Sequence, residues 1–328
     1  MQVIITGGRG FLGQRIAEEI LERGGLALPG GRRLEAPEIV LADLGEGTVS
    51  PALEGKVSCA VLDVADAAAV SALVGPETAA VFHLAAVVSA GAEADFDLGM
   101  RVNLDGTRNV LEACRALPEA VPLVSTSSLA VFGGALPAKV HDGQAVQPEN
   151  SYGVQKAIGE LLCADYRRKG FCDTRVLRLP TVIIRPGKPN AAASSFASSI
   201  LREPLNGEEA VCPVDEDLEL WVTSPEAAVS ALLHAMEVSA ADWPKFGVVN
   251  PPGLKTSVRE MLAALERAAG RQAVARVRFA KDETIAAIVG SWPRDFDTAT
   301  AEGLGFPACG SVDEIISGYL GRYGQRAA

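Results

Sequence analysis

The sequence predicts an α/β protein: a doubly wound parallel sheet with helices on both faces, followed by a smaller C-terminal lobe. Three observations carry this expectation. Short apolar runs alternate with helix-like segments through the first 180 residues, and alternation of that kind specifies a parallel sheet. The first run, Val3-Ile4-Ile5, is followed at once by Gly7, Gly10 and Gly13 at three-residue spacing. Beyond Pro180 the alternation stops and turn-rich stretches take over.

Taken in order, strands are expected at 3–5, 39–41, 57–62, 79–83, 123–126 and 176–179. Leu12, Ile16 and Ile20 fall on one face and mark the first crossover helix. Longer helices are expected at 100–116, with Val102, Val110 and Leu111 as the apolar stripe, and at 152–169, with Ile158, Leu161 and Leu162. Gly170 closes the second of these. Gly24 to Pro37 holds four glycines and two prolines; it is longer than the usual connection of about 2 to 6 residues and is expected to be a mobile surface loop. After Pro180, RPGKPN reads as a turn, AAASSFASSILREP as a small-residue helix, and VCPV and LELWV as isolated strands. Residues 246–250 are expected to return to the main sheet, and 258–269 and 312–322 to be closing helices. Residues 1–180 then form the sheet domain and 181–328 the lobe.

A chain of 328 residues with 48% hydrophobic and 22% charged residues is an ordinary globular protein with a sizeable core. Its net charge of −11 leaves no broad basic surface for phosphates, which argues against nucleic acid and anionic membranes as partners. The six cysteines form no C-x-x-C pair and the three histidines complete no zinc spacing. Buried free thiols in the cytoplasm are expected, and no metal. A strand beginning at Gln2 leaves no room for a signal peptide ahead of it. Ala120 to Ala138 is free of charge, but its prolines, glycines and hydroxyls make it a buried strand and loop rather than a membrane helix.

A glycine triplet alone is weak evidence, since turns use glycine for positive φ. Here it lies between a buried strand and an amphipathic helix, where backbone N–H groups and the helix N-terminus face an anion, which suits a dinucleotide pyrophosphate. Asp43 ends the second strand, where a carboxylate accepts from adenosine ribose hydroxyls and repels a 2′-phosphate, favouring NAD; the bland alternative is a solvated strand end. Arg9, Arg32 and Arg33 are the cations that would instead admit NADP. Asp63 is either an adenine partner or a helix cap. Tyr152 and Lys156 stand at i,i+4 on one helix face. The ammonium is expected to favour the phenolate, making Tyr152 a base, with Ser128 orienting the substrate oxygen. His83 and His234 read as core residues.

TGGRGFLG, HLAA at 83–86, NLDGT at 103–107, STSSLAVFG at 125–133 and YGVQK at 152–156 together resemble the extended short-chain dehydrogenase/reductase family, which includes nucleotide-sugar epimerases and dehydratases. The resemblance implies a Rossmann domain that binds NAD, and Ser128, Tyr152 and Lys156 as the catalytic trio. It implies that Gly7, Gly10, Phe11, Leu12 and Gly13 meet the cofactor, together with Asp43, Asp63, Val64 and the strand-end residues Leu84, Ala85 and Ala86. Asn103 and Pro180 complete that set beside Tyr152 and Lys156.

Departures from the nucleotide-sugar pattern matter as much. Thr181 stands where those enzymes have Asn, and no arginine occurs between Arg202 and Arg259. A pyrophosphate-linked substrate wants arginine forks. The stretch from RPGKPN to LWVTSP resembles instead a branch of the family that oxidises small polyhydroxy acids at C2. That implies Ser89, Ser128, Tyr152, Thr181, Arg185 and Asn190 around the substrate, although Arg185 is equally readable as a loop brace; Ser194, Ser195 and Trp221 are weaker candidates. Two other functions stay open: a nucleotide-sugar epimerase or dehydratase using the same trio, and a module that merely senses NAD. The resemblance also implies a homodimer through two helices per subunit.

Overall fold

The structure is a computed structural model that describes residues 1–45, 47–187 and 192–324. The chain opens with β1 (Gln2–Thr6) and α1 (Phe11–Glu22), then a hairpin of β2 (Gly25–Ala27) and β3 (Arg33–Glu35), then β4 (Glu38–Asp43) and β5 (Ser58–Val61). Next come α2 (Ala67–Leu73) and β6 (Thr78–His83). The following crossover runs through α3 (Ser89–Ala94), α4 (Phe96–Gly99), a π-helical turn at Met100–Asp105 and α5 (Gly106–Arg115) into β7 (Pro122–Ser128). α6 (Ser151–Arg168) leads to β8 (Asp173–Leu179). The remainder includes β9 (Thr181–Val182), α7 (Ser195–Leu205), β10 (Ala210–Cys212), β11 (Glu219–Thr223), α8 (Pro225–Glu237), β12 (Val248–Val249), β13 (Leu254–Ser257), α9 (Val258–Ala269) and β14 (Val277–Phe279).

Seven strands pair in the order β12-β8-β7-β6-β1-β4-β5, all parallel. The doubly wound sheet is therefore as the alternation predicts. Successive residues of its strands feed two cores: Val3, Ile5, Leu41, Phe82 and Val124 on one face, Ile4, Val40, Val81 and Leu123 on the other. Burial on both faces is why these strands read as unbroken apolar runs. The order reverses between β1 and β6, and the crevice there, at the carboxyl ends of the strands, is where such sheets bind ligands.

The return to the sheet occurs at Val248 and Val249, which pair with Val176 and Leu177 of β8. α8 joins them on the sheet: Leu232 and Met236 share a core with Ile16, Ile20 and Leu177. A third core gathers Phe196, Ile200, Trp221, Met261 and Ile316 with Leu129 and Phe132 from the segment after β7. The lobe's sheet, β13-β11-β9, contains the expected LELWV strand, while β10 pairs with β14.

Two expectations are corrected. Gly24 to Pro37 is a hairpin, not a loop: Leu26 and Leu28 are 2% exposed and Leu34 8%, all buried in the core beside α1. Its strands are three residues long and its turn carries Gly30 and Gly31 at φ 77°, so glycine content concealed the leucine anchors. The helix expected at 100–116 is also broken differently. α4 and the π turn precede α5, and the extra residue of the π turn swings Asn103 inward, to 1% exposure.

Candidate active site

The carboxyl ends of β1, β6 and β7 open on a cavity of about 320 Å³. Its floor is the glycine turn: Gly10 N–H donates to the Gly7 carbonyl at 3.0 Å, and Gly7 stands at φ 67°. A side chain at Gly7 would place Cβ 2.8 Å from the Ala85 nitrogen and 2.9 Å from the Leu84 carbonyl carbon. The turn is therefore pressed against the strand-end HLAA, and its own backbone faces the cavity with Phe11, Leu12 and Gly13. Backbone at a helix N-terminus with no Cβ in the way fits a dinucleotide pyrophosphate. Asp43 fixes the turn from β4, accepting from Arg9 N–H at 3.1 Å and from Leu44 N–H at 2.9 Å.

The three cations expected to compete for a 2′-phosphate part company. Arg32 lines a cavity with Met1, Pro122 and Asp173, at the opposite, amino-terminal edge of the sheet. Arg33 is held in the hairpin by Glu35 at 3.1 Å and by the Arg23 carbonyl. Arg9 alone stays beside Asp43, and its buried Nε and Nη1 have no hydrogen-bond partner among the described residues. Asp63 is exposed and accepts from Ala65 N–H at 2.9 Å, as a local turn residue does. Val64 is buried, and its carbonyl accepts from Asn109 at 2.9 Å.

Ser128, Tyr152, Pro180, Thr181 and Arg185 share the cavity with Leu84 and Ala86. The local sequence explains how Tyr152 gets there. Asn150 caps α6 by accepting from Gly153 N–H at 2.8 Å, and a Cβ on Gly153 would lie 2.1 Å from the Ala130 carbonyl oxygen. Only glycine lets the first turn of α6 rest on the segment just past Ser128. Lys156, one turn on, donates to the Thr126 carbonyl at 2.9 Å and stands 5.7 Å from the Tyr152 ring centre. Asn103 clamps the surroundings: it donates to the Val87 carbonyl at 2.9 Å and to Gln155 at 2.7 Å, and accepts from Val87 N–H at 2.8 Å.

Burial pushes the Tyr152 phenol up to about 12, with the Ser128 hydroxyl pulling the other way. The same burial brings Lys156 down to about 8, against Cys163 and Glu160, which hold it up. Burial is thus the larger influence on the phenol, and the Lys156 ammonium is engaged by the Thr126 carbonyl. Ser128 accepts from Ala130 N–H at 3.1 Å, which leaves its hydroxyl proton to donate into the cavity. His83 bridges Thr6 at 2.7 Å and Thr107 at 3.1 Å, and burial, then Lys156, lowers it to about 3, so it is a neutral core residue.

Ser89 also lines the cavity and accepts from Ala193 N–H at 2.9 Å. Arg185 is pushed below the usual guanidinium range by burial and by Arg202, whose side chain donates to the Arg185 carbonyl at 2.5 Å. Two guanidinium groups thus sit together there. Asn190 lies outside the described residues. Sequence reasoning missed Arg202, Glu160 and Trp292. Glu160 continues the i,i+4 series from Tyr152 and Lys156 and was legible in that spacing; Trp292, arriving from the far end of the chain, left no periodic signal.

A glycine cradle at the switch point and a Ser-Tyr-Lys set above it define the class: the chain belongs to the NAD dependent epimerase/dehydratase family, whose model matches residues 3–238. Among curated proteins it is similar to D-erythronate dehydrogenase of Cupriavidus necator, 48% identical over 98% of both chains. It is likewise similar to D-erythronate dehydrogenase of Haemophilus influenzae, 42% identical over 98% of this chain and 99% of that one. Among solved structures, a nucleoside-diphosphate-sugar epimerase from Agrobacterium tumefaciens superposes with a TM-score of 0.90 at 39% identity, over 99% of this chain and 95% of that one. The protein is an NAD-dependent dehydrogenase. No helix among the described residues is long and apolar enough to cross a membrane.

Proposed function

We propose that the protein oxidises the C2 hydroxyl of a small polyhydroxy acid, D-erythronate or a close relative, to the 2-oxo acid. The observation that carries this reading is a single cavity of about 320 Å³ lined by Ser128, Tyr152 and Arg185 together. Shared between nicotinamide and substrate, that volume suits a four-carbon acid better than a sugar nucleotide. Arg185 brings a guanidinium to the cavity wall, a group whose chemistry suits a carboxylate, and Thr181 and Ser89 flank the hydroxyls.

Gly7, Gly10, Phe11, Leu12 and Gly13 would hold the NAD pyrophosphate, Asp43 the adenosine ribose, and Ala85, Ala86, Lys156 and Pro180 the nicotinamide half. Bound NAD supplies the hydride acceptor. The chain's own residues do the rest: Ser128 orients the C2 hydroxyl, and Tyr152, reacting as the phenolate, takes its proton and becomes the phenol. Lys156 stays charged up to about pH 8 and anchors the ribose side of the site. Asp43 supports NAD over NADP, and the lower kcat/KM should belong to NADP. Six free cysteines support a reducing cytoplasm, and exposed Val154 and Leu161 on α6 support a homodimer.

The test is a screen of four- and five-carbon sugar acids with NAD, following nicotinamide reduction. Activity is expected with D-erythronate, and Tyr152→Phe should lower kcat by at least about 10²-fold with NAD affinity nearly intact. The second reading, epimerisation of a nucleotide sugar, is favoured by the likeness to the Agrobacterium structure. Saturable binding of a UDP-sugar, with no acid oxidised, would establish it instead.

A further inference from the structure

One wall of the active-site cavity comes from the far end of the chain. Trp292 lines it, and the same residue lines a second cavity of about 440 Å³ whose other walls include Leu136, Glu219, Lys255 and Arg294. The indole is 7% exposed and belongs to the apolar cluster of Leu129 and Phe132, against which Tyr152 packs. Trp292 therefore stands at the substrate end, away from the core beneath the glycine turn. Its position is well held. Val140 bridges to Phe296, accepting from Asp297 N–H at 2.8 Å and donating to the Asp295 carbonyl at 3.0 Å, which ties the tryptophan's segment to the loop after β7.

We propose that Trp292 is the specificity-determining residue for substrate length. This rests on the acid-oxidation reading above. The indole ends the substrate site as a partition: a four-carbon acid with its C2 at Tyr152 fits in front of it, whereas the tail of a six-carbon acid runs into the ring. Removing the ring joins the two cavities and opens a path toward Lys255, which is paired with Glu219 at 3.0 Å, and toward the exposed Arg294. Both are suited to receive the hydroxyls of a longer chain. Hydrophobic walls of this kind discriminate by roughly 10- to 200-fold per group excluded.

The experiment measures kcat/KM for D-erythronate and for D-gluconate, with NAD, in the unmodified enzyme and in Trp292→Ala and Trp292→Phe. The erythronate-to-gluconate ratio should fall at least about tenfold in the alanine variant and by less in the phenylalanine variant, with the KM for NAD unchanged. If the alanine variant does not fold, the phenylalanine variant decides, because it keeps the aromatic packing while shortening the wall. A ratio unchanged in folded variants, or an unmodified enzyme that prefers gluconate, overturns the partition. An unmodified enzyme that oxidises neither acid overturns the underlying reading instead.

Discussion

Replacing Glu160 by glutamine tests how α6 is held. Glu160 and Arg178 are each 2% exposed and meet through two bonds, Nε to Oε1 at 2.9 Å and Nη2 to Oε2 at 2.7 Å, while Ser127 donates to Oε1 at 2.5 Å. The cluster thus ties α6, which carries Tyr152 and Lys156, to β8 and to the strand end beside Ser128. Glutamine keeps the shape and removes the charge, which leaves the Arg178 guanidinium buried without an anion at a cost of about 3–5 kcal/mol. A chain of 328 residues unfolds with an entropy of about 0.7 kcal/mol/K, so Tm should drop by about 4–7 °C. The double change Glu160→Leu with Arg178→Met should recover most of that drop, because an apolar pair of similar volume has no charge to strand. Activity should report the same loss. Glu160 is one of the two groups holding the Lys156 ammonium up to about 8, so the alkaline fall in kcat/KM should move to lower pH in Glu160→Gln. Thermal denaturation and a pH–rate profile read both effects. A Tm within about 1 °C of the unmodified protein together with an unmoved alkaline limb would refute the reasoning.

Two further outcomes are expected. His83 is lowered from 6.5 to about 3 by burial, so the unfolded chain binds a proton that the folded one refuses between those values; stability is complete above pH 6.5 and is lost as pH falls toward 3, by up to on the order of 5 kcal/mol. His83→Gln should flatten the slope of Tm between pH 6.5 and 4, and an unchanged slope would remove His83 from the acid response. Gly7→Ala should abolish NAD binding in a fluorescence titration, since its Cβ meets Ala85 and Leu84 backbone under 3.0 Å, whereas Gly24→Ala, with equal positive φ but nothing within 4 Å, should bind NAD normally. Equal NAD affinity in the two variants would show that the clash at the turn does not matter.

The sequence made the sheet legible because its strands are buried on both faces and leave unbroken runs such as Val3 to Ile5. α9 was legible from its apolar stripe and its capping box of Ser257 and Glu260, and α6 from its clear ends; the stripe expected for α6 is not its buried face, since Leu161 is exposed and the buried face is Gln155, Lys156, Ala157, Gly159, Glu160 and Cys163. The hairpin at 25–35 was not, since three-residue strands are too short for a period to show and three glycines interrupt the stretch. Within the site, Ser128, Tyr152 and the glycine turn could be placed from local spacing alone. The partners that decide their chemistry lie far off in the chain: Thr126 for Lys156, Arg178 for Glu160, Arg202 for Arg185. Such pairings depend on which strands end side by side, and no local pattern encodes that.

The return of the chain to its first sheet means that the two lobes are stitched together rather than strung in series. One face of the cofactor-binding sheet is roofed by Leu232 and Met236 of α8, and its edge is closed by Val248 and Val249. Material translated after Lys156 is thus needed to seal the half that carries the glycine turn. A fragment ending at Leu179 would leave β7 and β8 open to water on that face, so a ribosome must deliver about seventy more residues before the glycine turn sits on a finished platform. The first sheet is accordingly complete only on the chain's second visit to it.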